Sequence, residues 1–154
     1  MSKFYNVLNL PEFYIVIYAF LLNFIWELMQ LPLFTGYEDA VYFSTVLHCT
    51  KATLGDVIIS LVAFLFASLI ANSRKWILLR SIHGTAVFII TGLVITVVFE
   101  ILATGPLDRW TYTDSMPLVP FLNVGLFPLM QWIIIPIIQI WFVRRMILSG
   151  ETIA

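Results

Sequence analysis

The stretch Ala86–Ala103, with the sequence AVFIITGLVITVVFEILA, decides the fold class of this chain. A helix of about 20 apolar residues spans the hydrocarbon core of a bilayer, and the one charged side chain in this stretch is Glu100. A charged side chain at that depth costs about 3 kcal/mol on insertion scales. Glu100 is therefore expected to face a bundle interior, to find a partner or to hold a proton.

A second stretch, 13–34, has the same character and contains another carboxylate, Glu27. Asn23, Glu27 and Gln30 stand at i, i+4 and i+7, so they form one stripe of a helix. Trp26 borders this stripe. An acidic residue inside a membrane span is a functional-site hypothesis by default, and the pattern favours a polar site on the first helix.

The composition predicts an integral membrane protein. The 154 residues are 61% hydrophobic and 11% charged, whereas soluble domains average about 25% charged residues. The net charge of −1 argues against a nucleic-acid binder, which normally carries a basic patch. Cys49 is the single cysteine, which excludes an intramolecular disulfide. The apolar run near Met1 is followed by no small-residue cleavage site, so it is interpreted as a retained span.

Four segments are predicted to span the membrane and to form one all-α domain, a four-helix bundle. The second is short as an apolar run, and its helix is expected to begin earlier, near Ser44, because only Gly55 intervenes. The third is expected to begin as an interfacial segment with Trp76 at the level of the lipid head groups. The predicted spans are 13–34, 56–71, 76–103 and 126–143.

The placement of basic residues predicts the orientation. Two cations lie in the connections after the first and third spans, Lys51 and Arg109. Six lie on the other side, which is shared by both termini and the second connection. By the positive-inside rule both termini are expected to be cytoplasmic, in an inner or plasma membrane. The six are Lys3, Arg74, Lys75, Arg80, Arg144 and Arg145.

The connection before the fourth span is apolar yet contains Pro117, Pro120 and Pro128 within the segment 116–128. It is too short to span a bilayer, and prolines interrupt regular structure. An interfacial or re-entrant segment, buried against protein, is expected there.

With this orientation, the polar and charged side chains that cost most to place in a membrane fall at one depth in all four helices. This depth lies in the outer half of the bilayer. We therefore predict a shared polar pocket. The candidate catalytic residues are Glu27, Glu100, Asp56 and His48. The candidate substrate-binding residues are Asn23, Trp26, Gln30, Arg109, Trp110, Tyr112 and Gln131.

The loop 108–112 supplies a cation and two amphipathic aromatic side chains, so it is interpreted as a lid over this pocket. Arg109 is the expected charge partner of Glu100 or Asp56. Pro128 and Pro136 are expected to loosen the fourth helix on either side of Gln131 and to free carbonyl groups there.

Each candidate also has a structural interpretation. The two glutamates can serve to fix helix packing. Asp56 suits the N-cap of the second helix, His48 can be an ordinary helix-end residue, and the glutamines commonly form interhelical hydrogen bonds. Trp110 and Tyr112 are typical of the aromatic belt at a membrane interface.

A metal site is only weakly indicated. Glu27, Asp56 and Glu100 with His48 resemble a carboxylate-rich iron or manganese set. However, no Glu-x-x-His pair occurs, and His83 is predicted on the opposite side. The two histidines therefore cannot ligate one heme. We predict neither a metal nor a cofactor.

The order of motifs in the C-terminal half resembles that of the small membrane lycopene cyclases of carotenoid synthesis. Glu100 closes a helix, Trp110-Thr111-Tyr112 follows in a loop, and Pro128-Leu-Met-Gln131 opens the next span. The likeness covers about a third of the chain. The paired carboxylates expected after the proline are replaced by Met130 and Gln131. The resemblance implies carboxylate chemistry on an isoprenoid.

Two functions stay open from the sequence. The first is acid–base catalysis on a lipophilic, isoprenoid-like substrate by an isomerase, cyclase or hydratase, since intramembrane carboxyls can serve as acid and base. The second is a non-catalytic small subunit or ligand-binding component of a larger membrane protein complex. The expected partners are a membrane lipid or lipophilic small molecule and, in the second case, other membrane proteins.

Overall fold

The computed structural model describes residues 10–37 and 41–151, with side chains up to Ser149. Four helices dominate it and confirm the predicted all-α membrane-spanning bundle, since each is long and apolar enough to cross a bilayer. They are α1 (Pro11–Gln30), α2 (Tyr42–Ile70), α3 (Ile82–Thr104) and α4 (Leu126–Glu151).

The helix boundaries differ from the predicted spans for local reasons. α2 begins at Tyr42, near the expected early start, so Asp56 lies in mid-helix and its interpretation as an N-cap is wrong. α3 begins only at Ile82, because the Ser81 hydroxyl accepts a hydrogen bond from the Gly84 N–H and caps the helix. α4 runs past the predicted end to Glu151, with Pro136 inside it.

Consecutive helices pack side by side, and α4 closes the bundle against α1. α1 and α3 are therefore a diagonal pair. Residues 31–37 and 105–125 lie at one end of the bundle, called here the hairpin end. The opposite end, called the terminal end, holds the start of α1, the end of α4 and the connection 71–81, where Arg74 pairs with Glu12 at 2.6 Å.

The apolar core fills most of the terminal half of the bundle interior. Trp76 lies in a short 3-10 helix, Arg74–Ile77, and is buried among aromatic and aliphatic side chains that include Phe64 and Phe88. Its indole N–H donates to the Ser68 hydroxyl at 3.1 Å. The indole fills the space beside Gly84, where a Cβ atom would lie 2.7 Å from the ring. Trp76 is thus packed against protein, and its level relative to the lipid head groups stays a prediction.

The proline-broken connection at the hairpin end forms a small antiparallel hairpin. Its strands are β1 (Leu118–Val119) and β2 (Val124–Gly125). The tip residue Phe121 is fully exposed and has a positive φ. A re-entrant segment buried against protein is therefore not what this sequence forms. The tip projects outward, while Met116 and β2 are buried.

The two connections of the hairpin end are tied together. Phe34 forms an isolated β-bridge with Tyr112. Thr35 donates its backbone N–H to the Thr111 carbonyl at 3.0 Å, and the two threonine hydroxyls are hydrogen-bonded. These contacts fix the loop that carries Trp110 and Tyr112 over the end of the bundle.

Candidate functional site

The side-chain amide of Gln131 is the centre of a polar cluster in the half of the bundle nearer the hairpin end. Gln131 lies on α4 and is 3% exposed. Its Nε2 donates to Asn23 Oδ1 at 2.8 Å, to Asp56 Oδ2 at 3.1 Å and, at 3.5 Å, to Glu27 Oε1. One amide group, which has two hydrogens, therefore donates to acceptors on both α1 and α2.

The predicted stripe on α1 is present. Gln30 Nε2 donates to Glu27 Oε1 at 2.8 Å, and Trp26 Nε1 donates to Gln30 Oε1 at 3.1 Å. Asn23 Nδ2 donates to the Ala19 carbonyl at 2.7 Å, which orients its oxygen toward Gln131. Trp26, Gln30 and Glu27 thus form a chain of hydrogen bonds that ends on the Glu27 carboxyl.

Glu100 approaches the cluster from α3 and is 8% exposed. The Tyr112 hydroxyl donates to Glu100 Oε2, and Trp110 Nε1 donates to the same oxygen at 3.4 Å. The Gly125 N–H donates to the Tyr112 oxygen at 3.0 Å. Burial, the hydrogen bond to Glu100 and the charge of Glu100 raise the pKa of Tyr112, so this residue stays a donor at neutral pH.

The three carboxyl groups share one electrostatic environment without a cation. Glu100 interacts electrostatically with both Glu27 and Asp56. Glu27 and Glu100 nevertheless come from α1 and α3, which lie diagonally across the bundle and not side by side. Their interaction runs across the bundle interior.

The predicted ion pair of Arg109 is also wrong. Arg109 is exposed and pairs with neither Glu100 nor Asp56. The backbone N–H of Arg109 donates to the carbonyl of Ala103, which lies in the last turn of α3. The residue that precedes Arg109, Asp108, has a positive φ. This turn sets the course of the loop, and Trp110 rather than Arg109 reaches Glu100.

His48 lies at the margin of the cluster, half-buried near the start of α2. The Tyr37 hydroxyl is hydrogen-bonded to His48 Nε2 at 2.7 Å, and the two ring centroids are 4.8 Å apart. Burial raises the pKa of Tyr37, and the charges of Cys49 and Glu27 raise it further. Tyr37 is a candidate that the sequence did not reveal, because nothing in a loop tyrosine marks it.

Several buried polar groups inside the bundle have no hydrogen-bond partner among the described residues: Thr53 Oγ1, Ser60 Oγ, Thr96 Oγ1 and Trp132 Nε1. Thr53, Asp56 and Ser60 stand at i, i+3 and i+7 on α2, a stripe that the sequence contains and that helical spacing alone would reveal. Buried polar atoms are nearly always paired, so these four groups depart from the usual pairing inside a protein.

Trp132 is 2% exposed and lies beside Asp56. Its indole N–H approaches the Asp56 carboxyl without reaching full hydrogen-bond geometry. The ring rests directly on Gly92 of α3, where a Cβ atom would lie 2.1 Å from it. Gly92 thus makes the room for Trp132, a complementarity that residue spacing cannot show.

The described residues contain no group of three or more histidine, cysteine, aspartate or glutamate side chains placed to hold a metal ion. In particular, Glu27, Asp56, Glu100 and His48 do not form a metal-ligand cluster. The hydrogen-bond donors around the carboxyls, above all Gln131, occupy the oxygens instead.

Two surface cavities lie near the cluster. An apolar groove of about 310 Å³ runs between α1 and α2 and is lined by residues such as Phe20 and Val57. A cavity of about 550 Å³ at the hairpin end reaches Tyr112, the partner of Glu100. Neither cavity is lined by Glu27, Asp56 or Glu100 themselves.

The chain matches no protein-family model, and no curated protein or solved structure is significantly similar to it. The resemblance to lycopene cyclases therefore stays a hypothesis that rests on the motif order alone.

Proposed function

We propose that this protein is a membrane-embedded acid–base enzyme that acts on a lipophilic, isoprenoid-like substrate as an isomerase, cyclase or hydratase. The observation that carries the proposal is the convergence of Glu27 and Asp56, from different helices, on the single amide of Gln131. No described cation pairs with either carboxyl.

Two carboxyl groups held close together in a low-dielectric interior resist ionising together, so such a pair tends to share one proton. One member is then an acid and the other a base. A shift or cyclisation of a carbon–carbon double bond needs this combination. The acid adds its proton to one carbon, and the base removes a proton from another, so the proton count of the pair is restored.

The Gln131 amide holds both carboxyl oxygens in place, and Gln30 adds a second donor to Glu27 at 2.8 Å. These donors stabilise whichever oxygen is ionised. Proton transfer by a positioned side chain accelerates a reaction by about 10²–10⁴-fold. We therefore assign Glu27 and Asp56 the proton transfers, and Gln131 and Gln30 their positioning.

Glu100 with Tyr112 forms a second acidic unit at the hairpin end of the same interior. Tyr112 and Trp110 donate to one oxygen of Glu100. We propose that this unit orients the substrate and contributes its charge to a cationic intermediate.

The alternative, a non-catalytic subunit, is favoured by a different observation. Gln131 bonds Asn23, and Gln139 donates to the Ile15 carbonyl at 2.9 Å. Both contacts tie α4 to α1, as purely structural glutamines do in membrane bundles. In this case the carboxyls would serve packing, and their protonation would not matter.

The experiment is incubation of isolated membranes that contain the protein in deuterated water, with unlabelled lipids extracted from non-expressing cells as substrate, followed by mass spectrometry of the lipids. Acid–base catalysis incorporates a solvent deuteron into the product. We expect a deuterated lipophilic product with the wild-type protein and not with Glu27→Gln. Glu12→Gln is the matched control, because Glu12 lies on the same helix at the terminal end. An identical lipid profile for all three strains would contradict the proposal.

A further inference from the structure

The terminal end of the bundle carries an excess of positive charge. Glu12 is the acid whose side chain is described there, and Arg74 pairs with it at 2.6 Å. No other ion pair occurs among the described residues. The other cations of this end therefore have no described counter-ion, and together they favour an anionic ligand. The cations of the terminal end are Arg74, Lys75, Arg80, Arg144 and Arg145.

Two of these cations, Arg80 and Arg144, act on one another. Arg144 is half-buried near the end of α4, and its Nε donates to the carbonyl of Ile77. This bond uses one of the five N–H groups of a guanidinium, and it holds the group beside the connection 71–81. The positive charge of Arg80, from that connection, acts on Arg144 there. Two like charges repel each other, and an anion bound by both relieves the repulsion.

The backbone holds Arg80 in a conformation that arginine rarely adopts. Its φ is 53°, in the left-handed region that favours glycine. The turn is fixed from within, because the Ser81 N–H donates to the carbonyl of the buried Trp76 at 3.2 Å. Residues that rigid surroundings keep in such a conformation are frequent at ligand sites. In addition, α3 begins two residues after Arg80, at Ile82, and the N-terminus of a helix favours anions.

Exposed apolar side chains flank Arg80 along the chain. Leu79 is 72% exposed and Ile82 is 81% exposed. Because α2 and α3 are both long and apolar enough to cross a bilayer, the turn between them is expected at the bilayer surface. A guanidinium matches the geometry of a phosphate group, and exposed leucine and isoleucine match hydrocarbon. A phosphate attached to hydrocarbon chains is the chemistry of a phospholipid.

We infer that Arg80 and Arg144 bind the phosphodiester of an anionic phospholipid at the terminal end, with its acyl chains beside Leu79 and Ile82. A zwitterionic lipid brings its own ammonium group to the two guanidinium groups, so the site prefers a head group with a net negative charge. The predicted orientation places this end in the cytoplasmic leaflet, where anionic lipids give the surface its negative potential. The inference goes beyond the proposed function and does not depend on it.

The test measures the unfolding temperature of the full-length protein in an uncharged detergent, titrated with phosphatidylglycerol, phosphatidylcholine or inorganic phosphate. A ligand that binds the folded state raises this temperature. Phosphatidylglycerol should reach half of its effect at a concentration at least about ten-fold lower than phosphatidylcholine, the difference that one charge-assisted hydrogen bond makes. Equal half-saturation by the two lipids would overturn the inference. An equal effect of inorganic phosphate would also overturn it, because the site would then bind a free anion.

Variants separate the pair of arginines from the general positive field. Arg80→Gly removes the charge without strain, because glycine adopts a positive φ readily. Without lipid its unfolding temperature should equal or exceed that of the wild type, yet its preference for phosphatidylglycerol should fall about ten-fold. Arg144→Lys keeps the charge but loses the planar fork of donors, and it should weaken the preference too.

Lys75→Gln is the matched control, since it removes one positive charge from an exposed position of the same connection. It should retain the wild-type preference for phosphatidylglycerol. An unchanged preference in Arg80→Gly would contradict the inference. An equal loss in Lys75→Gln and Arg80→Gly would contradict it as well, because the lipid would then respond to the charge of the whole end and not to a site.

Discussion

Gln131 on α4 donates a hydrogen bond of 3.1 Å to Asp56 on α2, across the interior of the bundle. The same amide also serves Asn23 and Glu27 of α1. A single side chain thus determines the positions of two carboxyls that no described cation neutralises. This dependence makes Gln131 the most sensitive structural test of the site.

Gln131→Leu should destabilise the protein by about 2 kcal/mol or more, because it removes the donor shared by the buried Asn23 and the half-buried Glu27 and Asp56. Gln139→Leu is the matched control, since it removes one bond of Nε2, to the Ile15 carbonyl. Single interhelical hydrogen bonds in membranes are worth about 0.6 kcal/mol on average. In mild detergent, the unfolding temperature of Gln131→Leu should be lower than that of Gln139→Leu. The reverse order would show that the amide does not hold the cluster together.

Gly92→Ala should be among the most damaging small substitutions in the chain. A Cβ atom there would lie 2.1 Å from the Trp132 ring, and overpacking of this kind costs about 1–3 kcal/mol. Gly55→Ala has nothing within 4 Å of the new Cβ and should be neutral or stabilising, since alanine is favoured in a helix by about 1 kcal/mol. Unfolding midpoints for both variants check this, and equal effects would mean that Trp132 does not rest on Gly92.

The stripe of Asn23, Glu27 and Gln30 was predictable, because helical periodicity alone places i, i+4 and i+7 on one face. The early start of α2 followed in the same way from the absence of breakers before Asp56. Arg109 was misjudged because a turn with positive φ at Asp108 directs the loop, and no periodicity describes such a turn. Trp132 packs on Gly92 because α4 and α3 fit together at this point. The spacing of residues within one helix gives no information about such a contact between two helices.

Alkaline pH should loosen the hairpin end through Tyr112. Burial and Glu100 raise its pKa above the ordinary value of 10.0. Because the folded state holds this proton more tightly than the unfolded chain, the stabilisation is complete below about pH 10 and is lost as the pH rises further. Tyr112→Phe should therefore flatten the fall of the unfolding temperature between about pH 9 and pH 11.

Tyr42→Phe is the control for this pH profile, since Tyr42 is exposed at the start of α2. It should retain the wild-type slope. Part of the fall will remain in Tyr112→Phe, because the pKa of Tyr37 is raised as well. An unchanged slope in Tyr112→Phe would contradict the buried, Glu100-bound environment of this tyrosine.

The orientation predicted from the basic residues can be measured with single introduced cysteines. Lys75→Cys and Asp114→Cys place thiols at exposed positions of opposite ends of the bundle. The native Cys49 is buried and should contribute little background. A membrane-impermeant thiol reagent should label Asp114→Cys in intact cells and Lys75→Cys only after permeabilisation. Labelling of both in intact cells would contradict the four-span topology with cytoplasmic termini.

The central claim is that the protons of Glu27 and Asp56, and not merely their volumes, matter. Glu27→Gln and Asp56→Asn preserve size and hydrogen-bonding capacity but remove the titratable proton, whereas Glu27→Ala opens a cavity and orphans the Gln30 and Gln131 amides. If the two acids are catalytic, the conservative variants keep the wild-type unfolding temperature.

The most direct measurement is deuterium incorporation into the extracted lipid product by the double variant Glu27→Gln/Asp56→Asn, compared with Glu12→Gln at matched expression. The account predicts no incorporation in the double variant and wild-type incorporation in Glu12→Gln. Full incorporation by the double variant would contradict it and leave the two carboxyls a structural role.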